Sequence, residues 1–116
     1  MRPYVSLRGR REFATTMRRG ASASAPVLTL HAFSPAKAAG APKVGVIVTR
    51  KVGKAVVRNR LRRRCKAILE ALLAPDDARW FVVTCKPAAA QARFDELRRQ
   101  LSGTLPKAAR PREARA

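Results

Sequence analysis

The residues of this chain that could do chemistry in concert are cationic. Between Arg50 and Lys66, in RKVGKAVVRNRLRRRCK, nine of seventeen residues are Lys or Arg, and an apolar stripe runs through them. The stripe pins the segment to a core, so the charge sits on a rigid surface. Charge at that density on such a surface suits a nucleic-acid backbone. Arg58, Arg62 and Lys66 recur every four residues and would form one row down a helix, with Asn59 and Arg63 as a neighbouring row. Thr49-Arg50-Lys51-Val52-Gly53-Lys54 leads into that helix, whose start would offer unpaired N–H groups to a phosphate. An ordinary solvated helix face mixes signs, whereas Glu70 is the one acid on this helix. Asn59 is a weak helix former inside a basic run. It is either an exposed polar position or the source of a directional hydrogen bond, to RNA or to nearby backbone, that a Lys could not make.

Catalytic groups are scarce by comparison. The single His, His31, lies in a strand-like segment, and the seven carboxylates are dispersed. Asp76-Asp77 are expected to cap or terminate in a turn, and Asp95-Glu96 diverge on a helix. No nucleophile–base arrangement, metal-binding carboxylate pair or zinc-ligand spacing is evident. Gly53-Lys54 is followed by Ala and lacks the upstream Gly of a nucleotide-binding phosphate loop. The chain's own side chains therefore make a poor autonomous enzyme.

The 116 residues suffice for one domain with one core, and a hydrophobic content of 47% allows it to fold. The formal net charge of +19 comes from 26 basic and 7 acidic residues, and its self-repulsion opposes compaction unless counter-charges arrive. Arg exceeds Lys by 19 to 7, which suits bidentate phosphate contacts and stacking on bases. Cys65 and Cys85 fall in apolar-patterned segments and read as reduced, buried small hydrophobes. The first residues contain no apolar stretch of signal-peptide length, and no run approaches a membrane span, so a cytoplasmic protein is expected.

The elements that must hold these residues follow from periodicity. Residues 1–7 read as a loose lead-in. A short helix is expected from Leu7 or Arg8 to Arg19, with Phe13 and Met17 on one face and Gly20 as its C-terminal stop. Residues 21–26, ASASAP, read as flexible. Val27 to Phe33 alternates, with Leu28, Leu30 and Ala32 on one side and Val27, Thr29 and His31 on the other. Residues 34–42 form a loop, and Lys43 to Thr49 is a second strand, expected to pair antiparallel with the first. A helix from about Lys54 to Leu73 buries Val57, Leu61, Cys65 (or Arg64), Ile68 and Leu72. Trp80 to Cys85 is a third strand, placed to pair in parallel with an earlier one after the helical crossover. A last helix spans about Ala88 to Leu101, with Phe94, Leu97 and Leu101 on one face. The fold class is α+β, a single-domain αββαβα sandwich over residues 1–105, followed by a basic Arg/Ala/Pro-rich tail, 106–116, expected to be disordered.

The stretch from Gly45 to Arg63, with Arg58-Asn59-Arg60 preceded by Gly53-x-Ala55-Val56, resembles the signature of the bacterial ribonuclease P protein component. Leu7-Arg8…Glu12-Phe13…Arg19-Gly20 is similar to that family's opening helix, and Phe81-Val82-Val83…Lys86 to its last strand, so the resemblance covers nearly all of 7–105. It implies an αββαβα fold with a left-handed crossover through the basic helix. It implies as partners a large catalytic RNA and precursor tRNA, whose 5′ leader the complex removes. Mg²⁺ would be held by the RNA, with none bound by the protein alone and no catalytic residue on it. RNA contacts would fall to Arg50, Lys51, Lys54, Arg58, Asn59, Arg60, Arg62, Arg63 and Lys66. The leader would lie in a cleft involving Phe13, Met17 and His31, although Phe13 is equally well a core residue. Three departures bear on this. Met17 stands where an aromatic is common, Thr49-Arg50-Lys51 replaces the commoner Ser-Lys-Lys, and the chain is poor in aromatics, so leader binding is expected to lean on charge more than on stacking.

Other readings remain on composition alone. A ribosomal or other structural RNA-binding protein without cleavage is disfavoured only by the ordered motif. A DNA-reading regulator is disfavoured because base readout needs a more mixed helix face. Neither DNA nor membrane is an expected partner.

Overall fold

In the strand Leu28–Phe33 every second residue, Leu28, Leu30 and Ala32, is buried, while Thr29, His31 and Phe33 are half-buried, as the alternation requires. The structure, a computed structural model, describes residues 5–7, 9–36 and 40–108. In chain order the elements are β1 (Val5–Ser6), α1 (Gly9–Arg19), β2 (Ala21–Ser24), β3 (Leu28–Phe33), β4 (Lys43–Ile47), α2 (Ala55–Leu72), β5 (Trp80–Cys85), a 3₁₀ turn (Pro87–Gln91) and α3 (Phe94–Ala108). The α+β class is as expected, with one five-stranded mixed sheet in the order β1-β4-β5-β3-β2.

The strand pairing differs from expectation in an instructive way. β3 and β4 are not partners, because β5 lies between them, antiparallel to β3 and parallel to β4. β5 carries Phe81, Val82 and Val83, all fully buried, and so takes the central position with both faces covered. The parallel β4–α2–β5 crossover is as expected. Two short strands were not expected. Val5–Ser6 of the lead-in pairs in parallel with β4, and Ala21–Ser24 pairs antiparallel with β3. β2 is made of Ala and Ser only, and the ladder to β3 holds it where propensity would not.

One face of the sheet packs against α2 and α3. Leu61, Cys65, Ile68 and Leu69 of α2 and Leu97, Leu101 and Ala108 of α3 join Leu28, Leu30, Val44, Phe81 and Val83 in a single core. Leu69 is an addition to the expected stripe, and Val57 and Leu72 are only partly buried. Cys65 and Cys85 are free and buried, with their thiols 3.9 Å apart. Hydrogen bonding to Cys85 and burial both push the Cys65 thiol far above its ordinary range.

The last helix starts later and ends later than its pattern implied. Pro87 opens a 3₁₀ turn instead, and α3 begins at Phe94, which is exposed and off the buried face. Its buried stripe of Leu97, Leu101, Thr104 and Ala108 carries the helix past Pro106, so residues 106–108 belong to the fold. Residues 1–4, Arg8, 37–39 and 109–116, which include most of the expected lead-in and tail, lie outside the described residues. Among the described residues no helix is long and apolar enough to cross a membrane.

The other face carries α1. Gly20 follows it, but not as a left-handed cap: positive φ among the described residues occurs at Gly9 and Gly40. Gly20 is required because a Cβ there would collide with the carbonyls of Thr16 and Ala32.

Candidate nucleic-acid interface

With about 100° between successive residues, the stripe Leu61, Cys65, Ile68 and Leu69 turns one side of α2 inward and leaves the rest to solvent. The charged rows follow. Arg58, Arg62 and Lys66 lie on one flank, Asn59 and Arg63 along the outer crest, and Arg60 on the opposite flank with Arg64 one turn on. Of Arg58-Asn59-Arg60, Asn59 is exposed and the two arginines are half-buried on either side of it. Arg58 folds back so that its Nε donates to the Gly53 carbonyl at 3.1 Å. Arg62 Nη1 donates to Asn59 Oδ1 at 2.9 Å, which orients the Asn amide. Arg50, Lys51 and Lys54 are exposed around the helix start.

That start is unusual in its electrostatics. Lys54 is the N-cap residue, it makes no side-chain cap, and the first turn contains no acid. Unpaired N–H groups and cations therefore share one end of the helix dipole, an arrangement that an incoming anion relieves.

Arg60 and Arg64 face elsewhere. With Arg93, Phe94, Asp95 and the small residues Ala90 and Ala92, they line a groove of ≈ 610 Å³ between α2 and the start of α3. Arg60 Nε is buried and has no hydrogen-bond partner among the described residues.

The face of the sheet under α1 is the second surface. Register places His31, Val82 and Gly45 in one row across β3, β5 and β4, and Thr29, Thr84 and Ile47 in the next. α1 crosses one end of this face. Lys43 Nζ donates to Glu12 Oε2 at 2.8 Å, Arg19 lies 5.4 Å from the Phe33 ring centre, and Phe33 contacts Trp80 at 5.7 Å. The Phe13 ring lies over Gly45, where a Cβ would overlap it. Phe13 is therefore half-buried packing at the cleft edge, while Met17, one turn on, is exposed. Away from α1 the face is only half-covered. His31 Nδ1 and Thr84 Oγ1, one row apart, are buried without partners among the described residues. Burial holds the His31 imidazole below its ordinary value of 6.5, so it is neutral near pH 7. Lys86 stands at the rim, its Nζ donating to Ser24 Oγ and the Ala25 carbonyl, both at 2.7 Å.

The residues expected on the basic helix are thus brought together on α2, on both flanks and the crest around its buried stripe. Phe13, Met17 and His31 share the α1 side of the sheet. The sequence-based set omitted Arg64, for which the signal was its four-residue spacing from Arg60, and Thr84, which only strand register places beside His31.

Residues 1–109 match the family model described as Ribonuclease P. A protein of Mycobacterium sp. (strain KMS) called ribonuclease P protein component is 35% identical over 102 residues, covering 87% of this chain and 86% of the relative. One of the same name from Beutenbergia cavernae is 40% identical over 97 residues, covering 81% and 79%. Among solved structures, the Staphylococcus aureus RNase P protein superposes with a TM-score of 0.81 at 17% identity, covering 90% of this chain and 94% of that one. The Thermotoga maritima RNase P protein does so with 0.71 at 23%, covering 91% and 96%. The structures agree in fold, and the sequence matches carry the assignment: the chain belongs to the ribonuclease P protein family.

Proposed function

We propose that α2 binds the catalytic RNA subunit of ribonuclease P and that the half-covered sheet face beside α1 receives the 5′ leader of precursor tRNA. The protein thereby aids endonucleolytic removal of the leader to give mature tRNA 5′ ends. One observation carries this: a helix locked into the core by Leu61, Cys65, Ile68 and Leu69 leaves Asn59 and Arg63 exposed and Arg58, Arg62 and Lys66 half-exposed, with Arg50, Lys51 and Lys54 at an uncapped start. Fixed cations and unpaired amides together fit a folded polyanion better than a small ligand. The sheet face supports the second half, since His31 and Thr84 are half-buried on the α1 side of the sheet and Met17 of α1 is exposed, and bases of a single strand supply both polar edges and flat surfaces.

On this reading the chemistry stays with the RNA. The side chains of this chain hold and orient, lower the repulsion between ribozyme and substrate phosphates, and leave Mg²⁺ and the attacking water to the RNA subunit. Glu12 is engaged by Lys43 and Asp77 by Arg79, which takes two of the few carboxylates out of contention as metal ligands. A cytoplasmic setting goes with that role.

The test is cleavage of precursor tRNA by the RNA subunit alone and with this protein, across Mg²⁺ and monovalent salt. The protein is expected to lower the Mg²⁺ requirement and raise substrate affinity, with an advantage that shrinks steeply as salt rises. An advantage independent of ionic strength, or cleavage that survives exhaustive removal of RNA, overturns the reading.

A further inference from the structure

We propose that the groove between α2 and the start of α3 takes a single unstacked nucleotide of RNA, its phosphate among Arg60, Arg64 and Arg93 and its base against the Phe94 ring. The inference deepens the reading of α2 as RNA-facing and rests on it.

The groove has the parts such a ligand needs. Arg60 and Arg64, on successive turns of α2, form one wall, and Arg93 and Phe94 form the other. None of the three arginines is in an ion pair among the described residues, although Asp95 lines the same groove. Arg60 Nε is removed from water without an acceptor, and a turn of the side chain that offers it to an oxygen of a bound phosphate would satisfy that donor. Phe94 is 44% exposed and is the one exposed aromatic among the described residues, in a chain with few aromatics. Ring and guanidinium planes at the mouth of a basic groove are the combination that holds a splayed base and its backbone. Ala90 and Ala92 leave the space, ≈ 610 Å³, unfilled by protein. Asp95 is poor company for a phosphate but a good acceptor for an exocyclic amine, so the groove favours bases that carry one.

The nucleotide could come from the RNA subunit or from the substrate, and two arms separate these sources. In the first, the affinity of the protein for ribonuclease P RNA alone is measured. In the second, the affinity of the assembled complex for precursor tRNA is compared with that for mature tRNA. The variants are Phe94→Leu, which keeps bulk and removes the ring, Arg64→Gln and Arg93→Gln, with Arg62→Gln as a comparison on the other flank. Phe94→Leu is expected to weaken binding in one arm by about ten-fold without changing its salt slope. Arg64→Gln is expected to weaken the same arm and to lower the slope by about one. Should Phe94→Leu fail to fold, Arg93→Gln at an exposed position reports on the same groove. Unchanged affinity of the groove variants in both arms, with a loss for Arg62→Gln, overturns the groove and leaves the reading of α2 standing. No loss for any of the four overturns both.

Discussion

Leu61 and Arg62 are neighbours in the chain with opposite surroundings, one 1% exposed in the core and the other on the charged flank of α2. Leu61→Ala is expected to lower stability by about 2–5 kcal/mol in urea unfolding, because the emptied site is walled by packed side chains. Arg62→Ala is expected to leave that midpoint nearly unchanged while weakening RNA binding and flattening its salt dependence by about one phosphate contact. His31 gives a prediction in pH. Its folded pKa lies below 6.5, so the unfolded chain binds the proton more readily. The stabilising contribution is complete above about pH 6.5 and is lost as pH falls from there through the folded value. Its imidazole should titrate below 6.5 by NMR in the free protein, and His31→Gln should remove that part of the pH dependence of unfolding. At this scale the inward stripe and the cationic rows of α2 were legible because period 3.6 alone separates them. The groove at Arg60 and Arg64 was not, since its second wall comes from Arg93 and Phe94, which only the path of the chain after β5 brings near.

Among elements, the three long strands and two of the three helices were legible from alternation and stripe. The parallel pairing across the α2 crossover was legible too, but the strand order was not, because sequence nearness favours β3 with β4, while burial on both faces draws β5 between them. β2 carries no apolar signal of its own and is a strand by virtue of its ladder to β3. The seat of α1 was legible only as Phe13 and Met17 sharing a face. That the seat depends on a missing side chain in β4 required the structure. Gly45→Ala is expected to cost about 1–3 kcal/mol by forcing the Phe13 ring aside. Combined with Phe13→Leu, the two losses should sum to less than their separate values in denaturant unfolding, as coupled neighbours do.

For the molecule as a whole the governing quantity is +19 on 116 residues. α1 bears Arg10, Arg11, Arg18 and Arg19, and α3 bears Arg98, Arg99 and Lys107, so positive charge lies on both sides of the sheet as well as on α2. Folding brings these charges closer together than in the open chain. The thermal midpoint should therefore rise with added chloride salt, and rise further at equal ionic strength with phosphate or sulfate, which the uncapped start of α2 is expected to hold. A midpoint insensitive to the choice of anion would show that the end of α2 holds no anion.

Trp80, the one tryptophan of the chain, sits at the start of β5 against Phe33, with Lys43 Nζ 5.2 Å from its ring centre, at the end of the sheet that α1 crosses. The fold has thereby installed an optical reporter on one surface and left the other dark. Its emission should change when an oligonucleotide settles beside α1 and stay constant when RNA docks only on α2, so one cuvette can tell the two occupancies apart without any label.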